Sequence, residues 1–466
     1  MPLSDELKQR LQQSGQGHIV HRLARLSAKK QQKLIHQLQQ LDLANIAELF
    51  QLSKRQADHH DFHRCRVPDI VRMPETDEEI RAWSKAGEVG ARAIRQGQLA
   101  VIMVAGGQGT RLGHDGPKGT YPIGPVTQRS LFQIHAEKVL ALGRRHQVDI
   151  PFLIMTSEEN DQTTREFFAQ HHHFGLKSEQ VTFFVQGMLP ALDASTGEML
   201  LSAKDELALS PNGHGGVIEA LDAAGLLNQL QSQGIRHCYY FQVDNPLVQI
   251  GEEQFLGMHL NAQADMSLKV VAKLNAQERM GNLVELDGKY RIVEYTELPA
   301  ELAEQTDESG QLRFWAGSPA IHLFDLSFLQ RLAHGDITLP YHLARKSVPY
   351  VDEQGTPQKP SSPNAVKYER FIFDALPLAN RVLAVETTRA FEFEPLKNAE
   401  GDNSPFTVKQ ALSDRYQSWL CACGIELKID HWHELSPLVI LDMNDLERYT
   451  PETIIKWRSA PRLKNI

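Results

Sequence analysis

Four cysteines in 466 residues are too few for a disulfide scaffold. The 31 glycines and 23 prolines follow no repeat, which excludes collagen-like and low-complexity chains. No apolar run approaches the roughly 18 residues of a membrane-spanning helix, and the opening MPLSDELKQRLQQSGQ is charged where a secretory signal is apolar. Positive charge is also in short supply, with 49 Lys and Arg against 58 Asp and Glu and a net charge of −9. That balance argues against capture of nucleic acid, whose affinity depends on many Lys and Arg contacts to phosphate. It leaves room for a phosphorylated small molecule in a local positive pocket. Cys65 and Cys238 stand alone, and Cys421-Ala422-Cys423 lacks the C-x-x-C spacing of zinc or redox motifs. These thiols are expected to be structural, in a cytoplasmic protein that neither crosses a membrane nor binds nucleic acid.

What is present divides along the chain. Length alone allows about three domains. Residues 1–95 are rich in Gln, Lys, Leu and Ala, and apolar residues recur at three and four positions, as in Leu34, Ile35, Leu38 and Leu41. We expect an N-terminal helical region there. Its polar oddity, DHHDFHRC with His59, His60, His63 and Cys65, reads as a connector between helices more readily than as a metal site. From residue 96 the texture changes. Leu99–Ala105 is an unbroken apolar run of the kind that forms a strand buried on both faces. PFLIMTS, VTFFVQG, HCYYFQVDN, MSLKVVAK and RIVEY follow, with helical stretches such as SLFQIHAEKVLALGRRH and GGVIEALDAAGLLNQLQSQ between most of them. This alternation predicts an α/β domain over 96–404 with a mostly parallel sheet flanked by helices. A small α+β C-terminal domain is expected over 405–466, with a helix at TVKQALSDRYQSWLCACG and strands at IELKI and PLVILDM.

The stretch from Val104 to Gly119 carries most of the chemical information. Gly106, Gly107, Gly109 and Gly113 follow the buried strand, where missing side chains let backbone N–H groups approach an anion. Their spacing fails the G-x-G-x-x-G dinucleotide fingerprint, and no Gly-Lys-Ser/Thr closes a P-loop. Arg111 and Lys118 place positive charge beside the turn, as a polyphosphate requires. The plainer alternative is a glycine-rich surface turn with solvated cations. Further along, Asp244 ends HCYYFQV, at the carboxyl edge of an expected strand where α/β sheets bind ligands. An ordinary Asp-Asn-Pro turn is the alternative there.

GGQGTRLG followed by PKG resembles the signature of the UTP-dependent sugar-1-phosphate uridylyltransferases of the UDPGP type, within them the UDP-N-acetylglucosamine pyrophosphorylases. The resemblance continues in order through QGMLPAL (186–192), PNGHGGVIEAL (211–221), QVDNPL (242–247), VEY (293–295), AGSPAIHLF (316–324), VKYERFIFD (366–374) and FEPLKNAEGDN (393–403), about 300 residues in all. It implies a Rossmann-like nucleotidyltransferase fold of the GT-A kind, with a mixed, mostly parallel sheet. The implied reaction joins N-acetylglucosamine 1-phosphate to the α-phosphorus of UTP and releases pyrophosphate. Mg²⁺ is the implied cofactor and small molecules the partners, the chain acting as a monomer or weak homo-oligomer.

Residue by residue, the resemblance implies UTP contacts from Val104, Ala105, Gly106, Gly107, Lys118, Gln186, Gly213, Asp244 and Lys367. Asp244 would also hold Mg²⁺, whose preference for oxygen ligands suits a carboxylate beside phosphate oxygens. Arg111, Lys118 and Lys397 are the expected catalytic cations. The sugar phosphate is expected at His214, Asn245, Glu294, Tyr295, Ser318, Phe393 and Lys397. A solvated surface lysine is the alternative for Lys367, and an ordinary core phenylalanine for Phe393. His214 and Ser318 depart from the asparagines usual at these positions in the N-acetylglucosamine branch. They keep glucose 1-phosphate, or a broad range of sugar 1-phosphates, as the alternative substrate. A relative that binds nucleotide without catalysis and a dinucleotide-dependent oxidoreductase are the other readings. The retained charged set weighs against the first, and the glycine spacing against the second.

Overall fold

The apolar run at Leu99–Val104 forms the strand its composition predicts, and the computed structural model buries it within a ten-stranded sheet. The structure describes residues 3–54, 61–335, 338–425 and 431–446. The strands of this sheet are β1 (Leu99–Val104), β2 (Phe152–Thr156), β3 (Val181–Val185), β4 (His237–Gln242), β5 (Met266–Ala272), β6 (Asn282–Leu286), β7 (Lys289–Val293), β8 (Ala316–Gly317), β9 (His322–Asp325) and β10 (Val382–Glu386). Their order is β7-β6-β8-β5-β9-β4-β1-β2-β3, with β10 paired alongside β5. Strands β3, β2, β1 and β4 run parallel, as do β5 and β10. Strand β9 enters antiparallel between β4 and β5. The result is the mixed, helix-flanked α/β sheet expected from the sequence.

Helices α1 (Asp77–Arg95), α2 (Leu131–His146), α3 (Glu253–Ala262) and α4 (Pro405–Ala422) belong to the same compact unit, which comprises Phe62–Val185, Ala220–Asp336 and Ala375–Ile466. One hydrophobic core holds Val101, Phe132, Ile154 and Phe241 together with Val408, Leu412 and Trp419 of α4. Helices α1 and α3 cross at contact distance. A Cβ added at Gly90 would collide with the Glu253 carbonyl, and one at Gly257 with the Ala86 carbonyl. The other unit comprises Met1–Asp61, Gln186–Glu219 and Ile337–Asp374. Its helices Asp5–Gln13, Gly17–Leu23, Ala28–Gln39 and Leu43–Lys54 share a core with Leu192, Val366 and Tyr368 of a three-stranded sheet.

The compact units therefore cut across the linear division into 1–95, 96–404 and 405–466. Of the N-terminal helices, the first four pack in one unit and α1 in the other, because α1 fits closely against α3 at Gly90 and Gly257. Of the segment after 405, α4 joins the core of the large sheet. Residues 437–442 form a turn and a bend, and Met443 opens a short helix, where a strand was expected. Most of IELKI lies outside the described residues, as do His59 and His60. The single helix expected over 215–233 is broken into Val217–Ala223 and Leu226–Ser232, where Gly225 takes a left-handed φ of 69°. Among the described residues no helix is long and apolar enough to cross a membrane.

Candidate active site

The glycine-rich loop leaves the carboxyl end of β1 and is pinned from beneath. Asn160, fully buried, donates its side-chain amide to the Ala105 carbonyl at 3.0 Å and the Gly107 carbonyl at 3.4 Å, while its oxygen accepts the Ser157 N–H at 2.8 Å. The loop closes on itself through Gly109 N–H to the Gly116 carbonyl at 2.9 Å and Lys118 N–H to the Gly107 carbonyl at 3.0 Å. Gly113 (φ 66°) and Gly116 (φ 123°) take conformations that side chains resist. Gly119 lies against the Phe132 ring, where a Cβ would collide. Val104 is half-buried, Ala105 buried and Gly107 exposed, so the loop rises from the core to the surface within four residues.

Strand β4 lies next to β1 in parallel register, Val104 opposite Gln242, and Val243 N–H reaches the Val104 carbonyl at 3.0 Å. Asp244 is thereby set beside the loop at the carboxyl edge of the parallel strands. The Lys118 ammonium stands 3.6 Å from its carboxylate, both side chains mostly buried, and donates to the Leu396 carbonyl at 3.3 Å. Leu396 in turn donates its N–H to the Asp244 carbonyl at 2.7 Å. That bond brings Lys397 to the same edge, its N–H held by the Asn403 carbonyl at 2.8 Å and its side chain exposed. Two facing segments, 104–118 and 394–397, thus present cations around one carboxylate.

Asn245 is 3% exposed, its amide nitrogen donates to the Glu392 carbonyl at 2.8 Å, and its oxygen accepts the Leu247 and Glu394 N–H groups at 3.3 Å each. Both ends of the amide are committed to the main chain and hold that segment. Glu294 and Ser318 flank Gly281: the Ser318 N–H donates to the Gly281 carbonyl at 3.0 Å, and a Cβ on Gly281 would stand 3.8 Å from Glu294 Oε1. Phe393 packs with Val271 and Met280, and the Arg389 guanidinium lies 5.3 Å from its ring centre. Tyr295 is exposed in the turn after β7. Arg111 is exposed on the 3-10 turn Thr110–Leu112, and among the described residues no hydrogen bond or ion pair ties its side chain to the rest.

Gln186, Gly213, His214 and Lys367 belong to the other unit. There the Gln186 side chain donates to the Gly213 carbonyl at 2.6 Å, which takes up one of its amide donors. Gly213 (φ 83°) packs backbone to backbone on Arg370, and the Gly215 N–H reaches the Arg370 carbonyl at 2.7 Å. The His214 ring stacks on Phe371 at 5.2 Å and its Nδ1 accepts the Ile372 N–H, leaving the proton on Nε2. Burial, with the neighbouring His342 adding to it, pushes this imidazole down to about 4. Lys367 is half-buried on the strand Ala365–Glu369, facing away from the core that takes Val366 and Tyr368.

The family model for UTP–glucose-1-phosphate uridylyltransferase, UDPGP, matches residues 47–452. The chain belongs to the UDPGP family. Over 442 residues it is 36% identical to the UDP-N-acetylglucosamine pyrophosphorylase of Saccharomyces cerevisiae, covering 91% of this chain and 92% of that one. The UDP-N-acetylhexosamine pyrophosphorylase-like protein 1 of Xenopus tropicalis is 35% identical over 438 residues, 90% of this chain and 85% of its own. Among solved structures, the uridine diphosphate N-acetylglucosamine pyrophosphorylase of Trypanosoma brucei in complex with inhibitor superposes with a TM-score of 0.85 at 26% identity, covering 99% of this chain and 98% of that one.

For this UDPGP chain the donor set can be weighed against Mg²⁺. Among the described residues no group of three or more His, Cys, Asp or Glu side chains could hold a metal unaided. Mg²⁺ keeps several waters and takes one or two carboxylates with substrate phosphates supplying other ligands. A lone, partly exposed Asp244 carboxylate beside the glycine-rich loop fits that demand. Sequence reasoning missed Asn160, because an Asn four residues past the end of a strand carries no signal of which loop it will reach.

Proposed function

We propose that this chain is a uridylyltransferase that makes UDP-N-acetylglucosamine from UTP and N-acetylglucosamine 1-phosphate. A phosphate oxygen of the sugar attacks the α-phosphorus of UTP, the bond from that phosphorus to the bridging oxygen breaks, and pyrophosphate leaves. Both reactants are anions, so the protein's task is alignment and neutralisation, with no nucleophile of its own. The observation that carries the reading is the Lys118–Asp244 pair, 3.6 Å apart, held beside the glycine-rich loop.

In this reading Val104, Ala105, Gly106 and Gly107 meet the nucleotide, and Lys118 neutralises the triphosphate. Asp244 would hold Mg²⁺, which when bound supplies further neutralisation of the phosphates. Lys397 receives the sugar's phosphate, Arg111 adds charge from the loop, and Glu294, with Tyr295 and Phe393 nearby, meets the sugar. Gln186, Gly213 and Lys367 keep the uridine and phosphate roles that the resemblance implies. The four cysteines are free thiols, which supports a cytoplasmic address. The chain then works as a monomer or weak homo-oligomer on small molecules.

A second reading, glucose 1-phosphate as substrate, is favoured by His214 and Ser318. Pyrophosphate release from UTP with a panel of sugar 1-phosphates separates the two. The highest kcat/KM is expected with N-acetylglucosamine 1-phosphate, and no release with any sugar would refute both.

A further inference from the structure

Behind the Asp244 edge lies a buried ion pair to which the reaction gives no part. Lys269 of β5 is 1% exposed and Glu392 is fully buried, and the ammonium meets the two carboxylate oxygens at 2.6 and 2.5 Å. Glu392 also accepts the Gln249 N–H at 3.1 Å and the Thr387 hydroxyl at 2.7 Å, and Lys269 has a second carboxylate partner in Glu252. Such a pair is a poor source of stability, since desolvating two charges offsets most of their attraction. It does fix one point of the chain: with its carboxylate held by three different groups, Glu392 cannot slide.

That fixed point leads to the site through main-chain bonds. The Glu392 carbonyl receives Asn245, whose oxygen holds the Leu247 and Glu394 N–H groups; Leu396 then bonds the Asp244 carbonyl and accepts Lys118. From the other side two buried basic side chains grip the same turn. Lys138 donates to the Pro246 and Val248 carbonyls at 2.6 and 2.7 Å, and Arg415 to the Leu247 and Phe391 carbonyls at 2.7 and 3.1 Å. We infer that Glu392 is a positioning residue, which through Asn245 sets Asp244 and the 394–397 segment at the distance from Lys118 that uridylyl transfer needs. This rests on the function proposed above.

Glu392→Gln tests it, because the amide keeps the volume while Lys269 keeps Glu252. A displacement of about 1 Å at a reacting group can cost about 100-fold in rate. We expect kcat per UTP-binding molecule to fall at least tenfold, with KM for UTP and for the sugar phosphate within threefold of wild type. Combining it with Asn245→Ala should cost little more than the worse single change, as for two members of one relay. Independent, multiplying losses would overturn the relay, as would an unchanged kcat. A purely structural role would lower the fraction of binding molecules and leave kcat per binding molecule alone. If Glu392→Gln does not fold, Thr387→Val removes one Glu392 contact at nearly constant volume, and the same kcat and KM split is read from it. Hydrogen exchange at the Leu247 and Leu396 amides reports without turnover: it should quicken in either variant, and unchanged exchange overturns the inference. An inactive wild type with quickened exchange in the variants would refute the proposed reaction and leave the relay standing.

Discussion

The carbonyl oxygen of Asp244 accepts the Leu396 N–H at 2.7 Å, while the Leu396 carbonyl accepts the Lys118 ammonium that also faces the Asp244 carboxylate. One residue of the 394–397 segment thus serves both members of the charged pair, although neither is near it in sequence. The position of Lys397 follows from the same two bonds.

Asp244→Asn keeps the shape of the side chain and removes its charge. Turnover should fall by about 10² to 10³, the scale of removing one electrostatic group from a transition state, with the melting temperature little changed. Steady-state pyrophosphate release, read beside a thermal melt, checks it; activity within threefold of wild type would refute the role given to this carboxylate.

Lys118→Ala should raise KM for UTP and lower kcat, together about 100-fold in kcat/KM. Lys118→Arg should not restore it, because the planar guanidinium cannot keep the point contact to the Leu396 carbonyl in the same space. Full activity in the Arg variant would show that charge alone is needed.

Gly119→Ala and Gly257→Ala separate site from scaffold. A methyl at Gly119 meets the Phe132 ring, so the loop must shift, with a cost of about 1–3 kcal/mol and weaker UTP binding. One at Gly257 meets the Ala86 carbonyl and should destabilise by a similar ~1–3 kcal/mol, leaving UTP affinity of the folded fraction unchanged. Denaturant melts and calorimetric UTP titration read the two effects apart.

Acid should unfold the protein earlier than surface charge alone implies. Burial pushes His135 and His259 down to about 3 and His214 to about 4. Between about pH 6.5 and 4 the unfolded chain takes up protons that these folded imidazoles refuse, so stability falls as pH drops through that window and is level above it. The denaturation midpoint should be lower at pH 5 than at pH 7.5. His135→Gln, which does not titrate and can keep a donor toward the Val243 carbonyl, should flatten the slope.

The parallel strands and the glycine-rich loop were legible because their signals are local: an unbroken apolar run at Leu99–Ala105, then glycines at fixed offsets. The antiparallel entry of β9 was not, since alternation within a strand carries no direction. Nor were Lys138, Lys269 and Arg415, because a lone cation in a sequence reads as solvated and only the fold reveals the carbonyls and carboxylates that take it inside. Asn245 was singled out, but not the main-chain bonds that its amide makes. Its place beside Asp244 suggested substrate, and a two-ended amide also suits main chain.

The glycine crossing of α1 and α3, with α4 sealing the far side of the same core, bears on how the chain can be shortened. A fragment starting at residue 96 strips α3 of the helix that fits its backbone at Gly257, and one ending at 404 removes Val408, Leu412 and Trp419 from the sheet. Each cut takes packing from the single core that carries β1 and β4, since Ala93 and Ile94 of α1 belong to it as well. The smallest piece of this unit able to hold its own shape begins before Asp77 and runs past Ala422.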